Sequence, residues 1–250
     1  MENFKTVSIF GFKVFSDDLV KIPVRGEEKC RVINCSISPN NYSLALKDEK
    51  FRRVLQNTDF LMLDGVYFAL ASIFLLGKNI KKNQGPDVYK HFIARLDEIS
   101  GKAFFLGSSE TVLQKIKDRI KREYPNVEVA TCSPPFKKEF SEDENAEMVS
   151  RINEFQPDIV FVGMTAPKQE KWSFDHREKL KAGLIISIGN VFDWYAGTQK
   201  SIHPFFFKIR MAWLIRIFLR PEIFKRNIGN QMLFFWHLLL MIFRLKKQPV

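Results

Sequence analysis

With 250 residues, 46% of them apolar, the chain is long enough to bury a full core as one large domain with an appendage or as two small domains. Its opening residues, MENFKTVSIFGFKVFSDD, have neither the continuous apolar core nor the small-residue cleavage pattern of a secretory signal. Cys30, Cys35 and Cys132 have no metal-ligand spacing and cannot all pair, so reduced thiols in a cytoplasmic compartment are expected. The net charge of +11 is uneven: residues 200–250 carry ten Lys/Arg against one acid, Glu222, which leaves the body close to neutral.

In chain order, Arg31 to Cys35 reads as a strand, and Asn40 is placed to cap a helix beginning near Asn41. An amphipathic stretch follows from Glu49 to Gln56. Phe60 to Leu63 is a short apolar strand ending in Asp64-Gly65, and Val66 to Leu76 is a nearly all-apolar helix, read as buried. Asp87 to Ile99 puts Val88, Phe92, Ile93 and Leu96 on one helical face. Lys102 to Leu106 is a strand followed by Gly107-Ser108-Ser109-Glu110 and a charged helix that Tyr124-Pro125-Asn126 breaks. Val127 to Ala130 is a strand and Glu142 to Phe155 a helix. Leu184 to Ile188 is another buried strand. Strands alternating with helices at this spacing predict an α/β fold: a doubly wound, mostly parallel sheet flanked by helices over residues 1–197. Residues 198–250 form a basic, apolar helical C-terminal appendage.

Asp158 to Trp172, DIVFVGMTAPKQEKW, carries the most information. A buried strand turns at Gly163, crosses a small-residue loop and enters a helix, with Pro167 suited to its first turn. Free backbone N–H groups at such a turn point at whatever binds there. A purely structural crossover needs none of Thr165, Lys168, Gln169 or Glu170 in that place.

Ligands of doubly wound sheets sit beyond the strand C-termini. These supply Ser36, Asp64, Gly107-Ser108-Ser109, Thr165 to Gln169, and Gly189-Asn190 with Asp193. Asp64 is either a general base at the dry rim of the sheet or the cap of the next helix. Gly107-Ser108-Ser109 is either an anion cradle or an ordinary helix start. Asp193 either accepts hydrogen bonds from a nucleobase or sugar or caps a turn. His91, His176, His203 and His237 have no ligand spacing and no Asp-x-Asp motif is present, so neither a cofactor nor a metal is expected.

The tail mixes its cations with Phe205-Phe206-Phe207, Trp213, Phe218 and Met232 to Trp236. That mixture suits an anionic membrane surface better than a nucleic acid. The apolar run ending at Phe243 is interrupted by His237 and is too short to span a bilayer. Arg216, Arg220 and Arg226 form a solvated or lipid-facing basic face, or one or two of them fold over the crevice to grip a pyrophosphate.

Together these residues resemble the WecG/TagA/CpsF family, glycosyltransferase family 26. Gly163 to Trp172 is similar to its G-x-x-x-P-[KR]-Q-E-x-W signature, Asp64-Gly65 to its strand-end D-G, and Gly85-Pro86-Asp87 to its G-x-D. Phe104 to Gly107 resembles its F-L-L-G turn, Gly189 to Gly197 its G-x-x-F-D-x-x-A-G, and Met211 to Arg216 its L-E-W-x-x-R. The resemblance implies an inverting, metal-independent transfer of an N-acetylmannosamine-like sugar, glucose or a related sugar. The donor is a UDP-sugar and the acceptor a polyprenyl-diphosphate-linked saccharide. The setting is teichoic acid or other cell-surface polysaccharide synthesis, peripheral on the cytoplasmic face of the bacterial inner membrane. It implies Asp64 as the base, with Ser36 and Gln169 beside it. Gly107, Ser108, Thr165, Asp193, Arg216 and Arg226 fall on the donor side, the arginines neutralising the leaving diphosphate. Ser38, Asn40, Gly85, Asp87 and Gln169 fall on the acceptor side. Where the family commonly has Thr and Asn at the end of the first strand, this chain has Ser36 and Ser38. It also has Glu222 where the family usually places Arg.

A non-catalytic UDP-sugar-binding module at the membrane is the alternative, supported only by Ser38. A dinucleotide-dependent oxidoreductase lacks its glycine fingerprint. An exposed apolar tail is compatible with a homo-oligomer as well as with lipid.

Overall fold

The computed structural model describes residues 4–25, 29–64, 66–80, 83–198 and 221–243. Arg216, the MAWLIR stretch, Gly65 and residues 244–250 lie outside the described residues.

The strands are β1 (Thr6–Ile9), β2 (Phe12–Phe15), β3 (Arg31–Ile37), β4 (Phe60–Leu63), β5 (Lys102–Gly107), β6 (Glu128–Cys132), β7 (Ile159–Gly163) and β8 (Leu184–Ser187). They form one sheet in the order β1-β2-β4-β3-β8-β7-β5-β6. Only the β1–β2 pair is antiparallel. From β3 the chain winds outward to β4, and from β5 it winds outward to β6 on the other side. The direction therefore reverses across the central strands, which is where doubly wound sheets open a crevice.

Among the described residues the α-helices are α1 (Pro39–Lys47), α2 (Glu49–Asn57), α3 (Val66–Leu76), α4 (Gly85–Glu98), α5 (Glu110–Glu123), α6 (Glu142–Phe155), α7 (Lys168–His176), α8 (Val191–Tyr195) and α9 (Pro221–Ile242). Several begin where local chemistry dictates. Ser141 and Glu144 close a reciprocal capping box on α6. Asp48 caps α2 through the Phe51 amide at 2.9 Å. The cap of α1 is Ser38 rather than Asn40: Ser38 Oγ accepts from Asn41 N at 3.4 Å and Pro39 takes the first helical position. Proline fits there because its missing N–H has no intrahelical role.

The edge hairpin β1–β2 has no counterpart in the sequence reading. Its turn residues, Phe10 and Gly11, both have positive φ, 54° and 80°. Asn-Gly or Asp-Gly usually marks such a turn. Phe10 takes the place of a polar residue because its ring packs against Tyr42, Phe68 and Phe234 at centroid distances of 5.0–5.2 Å.

The core lies in three clusters. One sits under α4, α5 and α8 around Tyr89, Phe105 and Phe161. Another lies under α6 and α7 around Val160, Val162 and Trp172. The third brings α1, α3 and α9 together around Phe10, Tyr42, Phe68 and Phe234. α9 is thus anchored in the body by Phe234, Leu238 and Met241, and His237 Nδ1 lies 2.9 Å from the Tyr42 hydroxyl.

α3 departs from the sequence reading. Phe68, Ala69 and Ala71 are buried, but Leu70, Ile73 and Phe74 are exposed, Phe74 by 70%. An all-apolar helix here has one face in the core and the other in solvent. On α9, Met232, Phe235, Trp236, Leu239 and Ile242 are also exposed, as is Phe243 just after it. Tyr67, on the α3 face shared by Leu70 and Phe74, meets Phe235 edge-on at 5.3 Å and joins the two helices' apolar faces. No helix among the described residues is long and apolar enough to cross a membrane.

Candidate active site at the strand ends

The crevice is built by close backbone approach. Gly107 and Gly163 are partners at the ends of β5 and β7. Gly107 has φ 118°, and a Cβ on it would lie 2.5 Å from the Gly163 carbonyl oxygen, so no larger residue fits. Gly189, φ 52°, turns the chain out of β8, and a Cβ there would lie 3.4 Å from both polar atoms of the Gln169 carboxamide.

α7 enters this crevice pinned on several sides. Pro167 occupies the cap position just before α7 rather than its first turn, following a cis Ala166–Pro167 bond. Lys171 pairs with Asp48, tying α7 to the start of α2. Burial pushes the Asp48 carboxyl up, but Lys171 and the Phe51 amide outweigh it and hold it below the usual carboxylate range. Trp172 Nε1 donates to Asn145 Oδ1 of α6 at 2.9 Å, and Ser173 Oγ meets Ser187 Oγ of β8 at 3.0 Å. A helix held to α2, α6 and β8 delivers its first-turn side chains to fixed positions.

Those side chains are Gln169 and Glu170, 5% and 0% exposed. Gln169 Oε1 accepts from Met164 N at 3.3 Å, and Gln169 Nε2 donates to Glu170 Oε1 at 2.9 Å. That leaves Gln169 with one N–H and one lone pair for a ligand. Burial raises the Glu170 carboxyl above its ordinary range, opposed by the Gln169 donor and by the nearby Ser36 hydroxyl. Ser36 Oγ nevertheless forms no well-formed hydrogen bond, and neither does Glu170 Oε2. Cys35 reports on the same spot: burial, then the charges of Asp64 and Glu170, push its thiol well up. Ser36, Asp64, Gln169 and Glu170 therefore lie at or just beyond the C-terminal ends of β3, β4 and β7. The Asp64 amide donates to Ile37 O at 2.9 Å, locking the ends of β3 and β4 together.

Other predicted positions surround this cluster. Ser36 lies within β3, which runs two residues beyond its predicted end at Cys35. Asn41 Nδ2 donates to Ser36 O at 2.8 Å, and Ser38 is engaged as the α1 cap. Asn40 accepts from Asn230 of α9 at 3.0 Å. Gly85 opens α4 against β8's end, where a Cβ would lie 2.9 Å from Val191 Cγ2; Asp87 is exposed in the first turn of α4. Ser108 has φ 61° and Ser109 caps α5 through Val112 N at 3.4 Å, so the helix-start role of this turn is realised. Thr165 is exposed in the β7–α7 loop. Asp193 Oδ1 accepts from Thr198 Oγ1 at 3.1 Å, a turn-capping contact. Arg226 is exposed on α9, its Nε 3.4 Å from Asn227 Oδ1.

Lys168 and Glu170 do not hold each other. Lys168 Nζ donates to Lys137 O at 2.7 Å and lies 4.2 Å from the centroid of the Phe140 ring, while Glu170 points inward. Sequence reasoning passed over Asn41 and Asn83. Asn83 is 3% exposed, its Nδ2 has no partner, and it stands just before α4, whose cap lacks a side-chain hydrogen bond. Neither residue sits in a pattern that separates it from ordinary loop asparagine. Among the described residues, no group of three or more His, Cys, Asp or Glu could hold a metal ion.

A doubly wound sheet whose strand ends gather a carboxylate, a carboxamide and a hydroxyl beside turns of close backbone approach is the framework of a group-transfer enzyme acting on polar substrates. The sequence matches the Glycosyl transferase WecG/TagA/CpsF family over residues 10–248, and the chain belongs to that family. It is a glycosyltransferase. Its relatives include the N-acetylglucosaminyldiphosphoundecaprenol N-acetyl-beta-D-mannosaminyltransferases of three bacteria. The protein of Bacillus spizizenii is 26% identical over 186 residues, 74% of this chain and 70% of the relative. That of Bacillus subtilis is 25% identical over 203 residues, 81% and 77%. That of Staphylococcus aureus (strain NCTC 8325 / PS 47) is 24% identical over 179 residues, 72% and 68%.

Proposed function

We propose that the chain transfers N-acetylmannosamine from its UDP-sugar, with inversion and without a metal, to the GlcNAc of a polyprenyl-diphosphate-linked acceptor in cell-wall polymer synthesis. The single observation that carries this reading is the grouping of Asp64, Gln169 and Ser36 at one set of strand ends in a chain whose relatives share that transferase name. A β-linked product from an α-linked nucleotide sugar requires inversion, which one displacement and one base accomplish. Asp64 takes the proton of the acceptor hydroxyl as its oxygen attacks the anomeric carbon, and the bond to UDP breaks on the opposite face. Gln169 uses its remaining N–H and lone pair to orient the sugar. Gly107, Ser108, Thr165 and Asp193 line the donor side. Arg216 and Arg226, with helix N-termini, meet the charge growing on the diphosphate. Ser38, Asn40, Gly85 and Asp87 line the acceptor side.

The lipid-linked acceptor goes with peripheral attachment to the inner face of the membrane. The exposed apolar side chains of α3 and α9, flanked by exposed Lys78, Lys225 and Arg226, supply a lipid-facing surface with the right charge at its edges.

The test is a screen of UDP-sugars, UDP-N-acetylmannosamine among them, against a short-chain lipid-diphosphate-GlcNAc acceptor, read by mass spectrometry with and without EDTA. A single added N-acetylhexosamine, undiminished by EDTA, is expected. UDP binding by titration calorimetry with no product from any donor would leave the non-catalytic module instead.

A further inference from the structure

A crossover helix in a doubly wound sheet ordinarily turns apolar residues toward the strands. α7 turns Glu170 and Ser173 toward them. Ser173 is satisfied by Ser187, but Glu170 is only half satisfied: Oε1 accepts from Gln169, while Oε2 has the Ser36 hydroxyl near it without a well-formed hydrogen bond. That Ser36 hydroxyl, on a residue 5% exposed, forms no other hydrogen bond. Unpaired buried polar atoms are costly, and an apolar residue at position 170 would avoid that cost. Nothing in the transfer step above uses Glu170.

The carboxamide of Gln169 explains its presence. Its orientation is held by two bonds, Met164 N to Oε1 at 3.3 Å and Nε2 to Glu170 Oε1 at 2.9 Å. The first is long. Without the second, the amide is free to flip end for end and present a donor where the sugar requires an acceptor. Resting on the proposed function, we infer that Glu170 is a positioning residue: it fixes which end of the Gln169 carboxamide faces the acceptor sugar and holds the Ser36 hydroxyl at the same strand end. One carboxyl oxygen accepts from Gln169 and the other faces the Ser36 hydroxyl. Glutamine keeps the acceptor for Gln169 and turns an N–H to the Ser36 oxygen, whereas methionine, of similar length, offers neither.

The experiment uses the full chain, the short-chain lipid-diphosphate-GlcNAc acceptor and the UDP-sugar it accepts. We expect Glu170→Met to lower kcat by roughly 100-fold, the scale of a misplaced contact, and Glu170→Gln to recover most of that loss. In the Gln169→Ala background, Glu170→Met should add little, because both changes remove one device. Full additivity, or equal losses for E170Q and E170M, would overturn the proposal. Side-chain amide NMR of 15N-glutamine-labelled protein decides the same question without turnover. The Gln169 NH2 signal, assigned by its loss in Q169A, should be exchange-protected in wild type and E170Q and lose protection in E170M; an unchanged signal in E170M would overturn it. Should E170M fail to fold, Glu170→Asp, one methylene too short to reach, carries both tests. Wild-type protein with no turnover on any donor would count against the proposed function, and the amide signal would still decide the role of Glu170.

Discussion

α7 and the α3–α9 face break the ordinary rule of burial in opposite directions. α7 buries a carboxyl completely, while α3 and α9 leave phenylalanine and tryptophan in solvent, Phe74 by 70% and Trp236 by 59%. Folding alone favours neither arrangement. Each inversion also sits beside its own kind of neighbour. Glu170 adjoins Gln169 and Ser36, at the strand ends where Asp64 also lies. The apolar face adjoins exposed cations. On the proposed function one region serves chemistry and the other location, a division that breaks if a change in either region alters both.

The largest expected effect is at the proposed base. Asp64→Asn should lower turnover by about 10²–10⁴-fold, the usual worth of a positioned base. UDP binding and sedimentation with anionic vesicles should be unaffected. Near-wild-type turnover would remove Asp64 from the reaction, and loss of vesicle binding would mean that the two regions are not separate.

On the other region, Phe74→Ser and Trp236→Ser should each weaken binding to anionic vesicles by roughly tenfold or more, since a buried aromatic is worth about 1.5–3 kcal/mol. Activity on a water-soluble acceptor should persist in both. Equal sedimentation of wild type and the double variant would show that the α3–α9 face does not meet lipid and leave the charged tail as its only candidate.

Much of this arrangement was legible in the sequence, and the rest was hidden for identifiable reasons. Glu142 to Phe155 reads as a helix, and the structure gives it those bounds, with Ser141 and Glu144 closing its start. The strands of the parallel sheet read as short apolar runs with errors of a residue or two. The β1–β2 hairpin did not, because Phe10 occupies a turn position where only its burial against Tyr42 and Phe234 makes it acceptable. An all-apolar helix such as α3 carries no periodicity to reveal its exposed face. At the site, Asp64 stands out as a polar residue directly after an apolar strand, and Gln169 as one of several polar residues after the turn that ends β7. The separate roles of Glu170 and Lys168 are not legible, since the sequence does not say that α7 rolls Glu170 inward while Lys168 reaches Lys137 and Phe140.

A smaller effect tests the rigidity of the crevice. Gly107→Ala forces a side chain into φ 118° and against the Gly163 carbonyl, which should cost about 1–3 kcal/mol in unfolding free energy. Chemical denaturation measures it. A neutral result would mean that the ends of β5 and β7 spread easily, and a site built on fixed strand ends would lose its footing.

The smallest effect concerns the buried carboxyl itself, and its sign follows from burial. Glu170 is fully buried and its folded-state pKa is raised above the ordinary 4.5, desolvation being the main cause. Between those two values the folded chain binds a proton that the unfolded chain releases, so stability falls as pH rises through that window. Each unit of separation is worth about 1.4 kcal/mol. Glu170→Gln removes the titration while keeping a hydrogen-bonding side chain of the same length. Its unfolding free energy relative to wild type should therefore be smallest near pH 4 and grow as pH rises, levelling off above the folded-state pKa of Glu170. A pH-independent difference between the two proteins would mean that the carboxyl is ionised and solvated as an ordinary surface glutamate. In that event α7 would not bury a polar face, and the opposition between it and the α3–α9 surface would reduce to the apolar side alone.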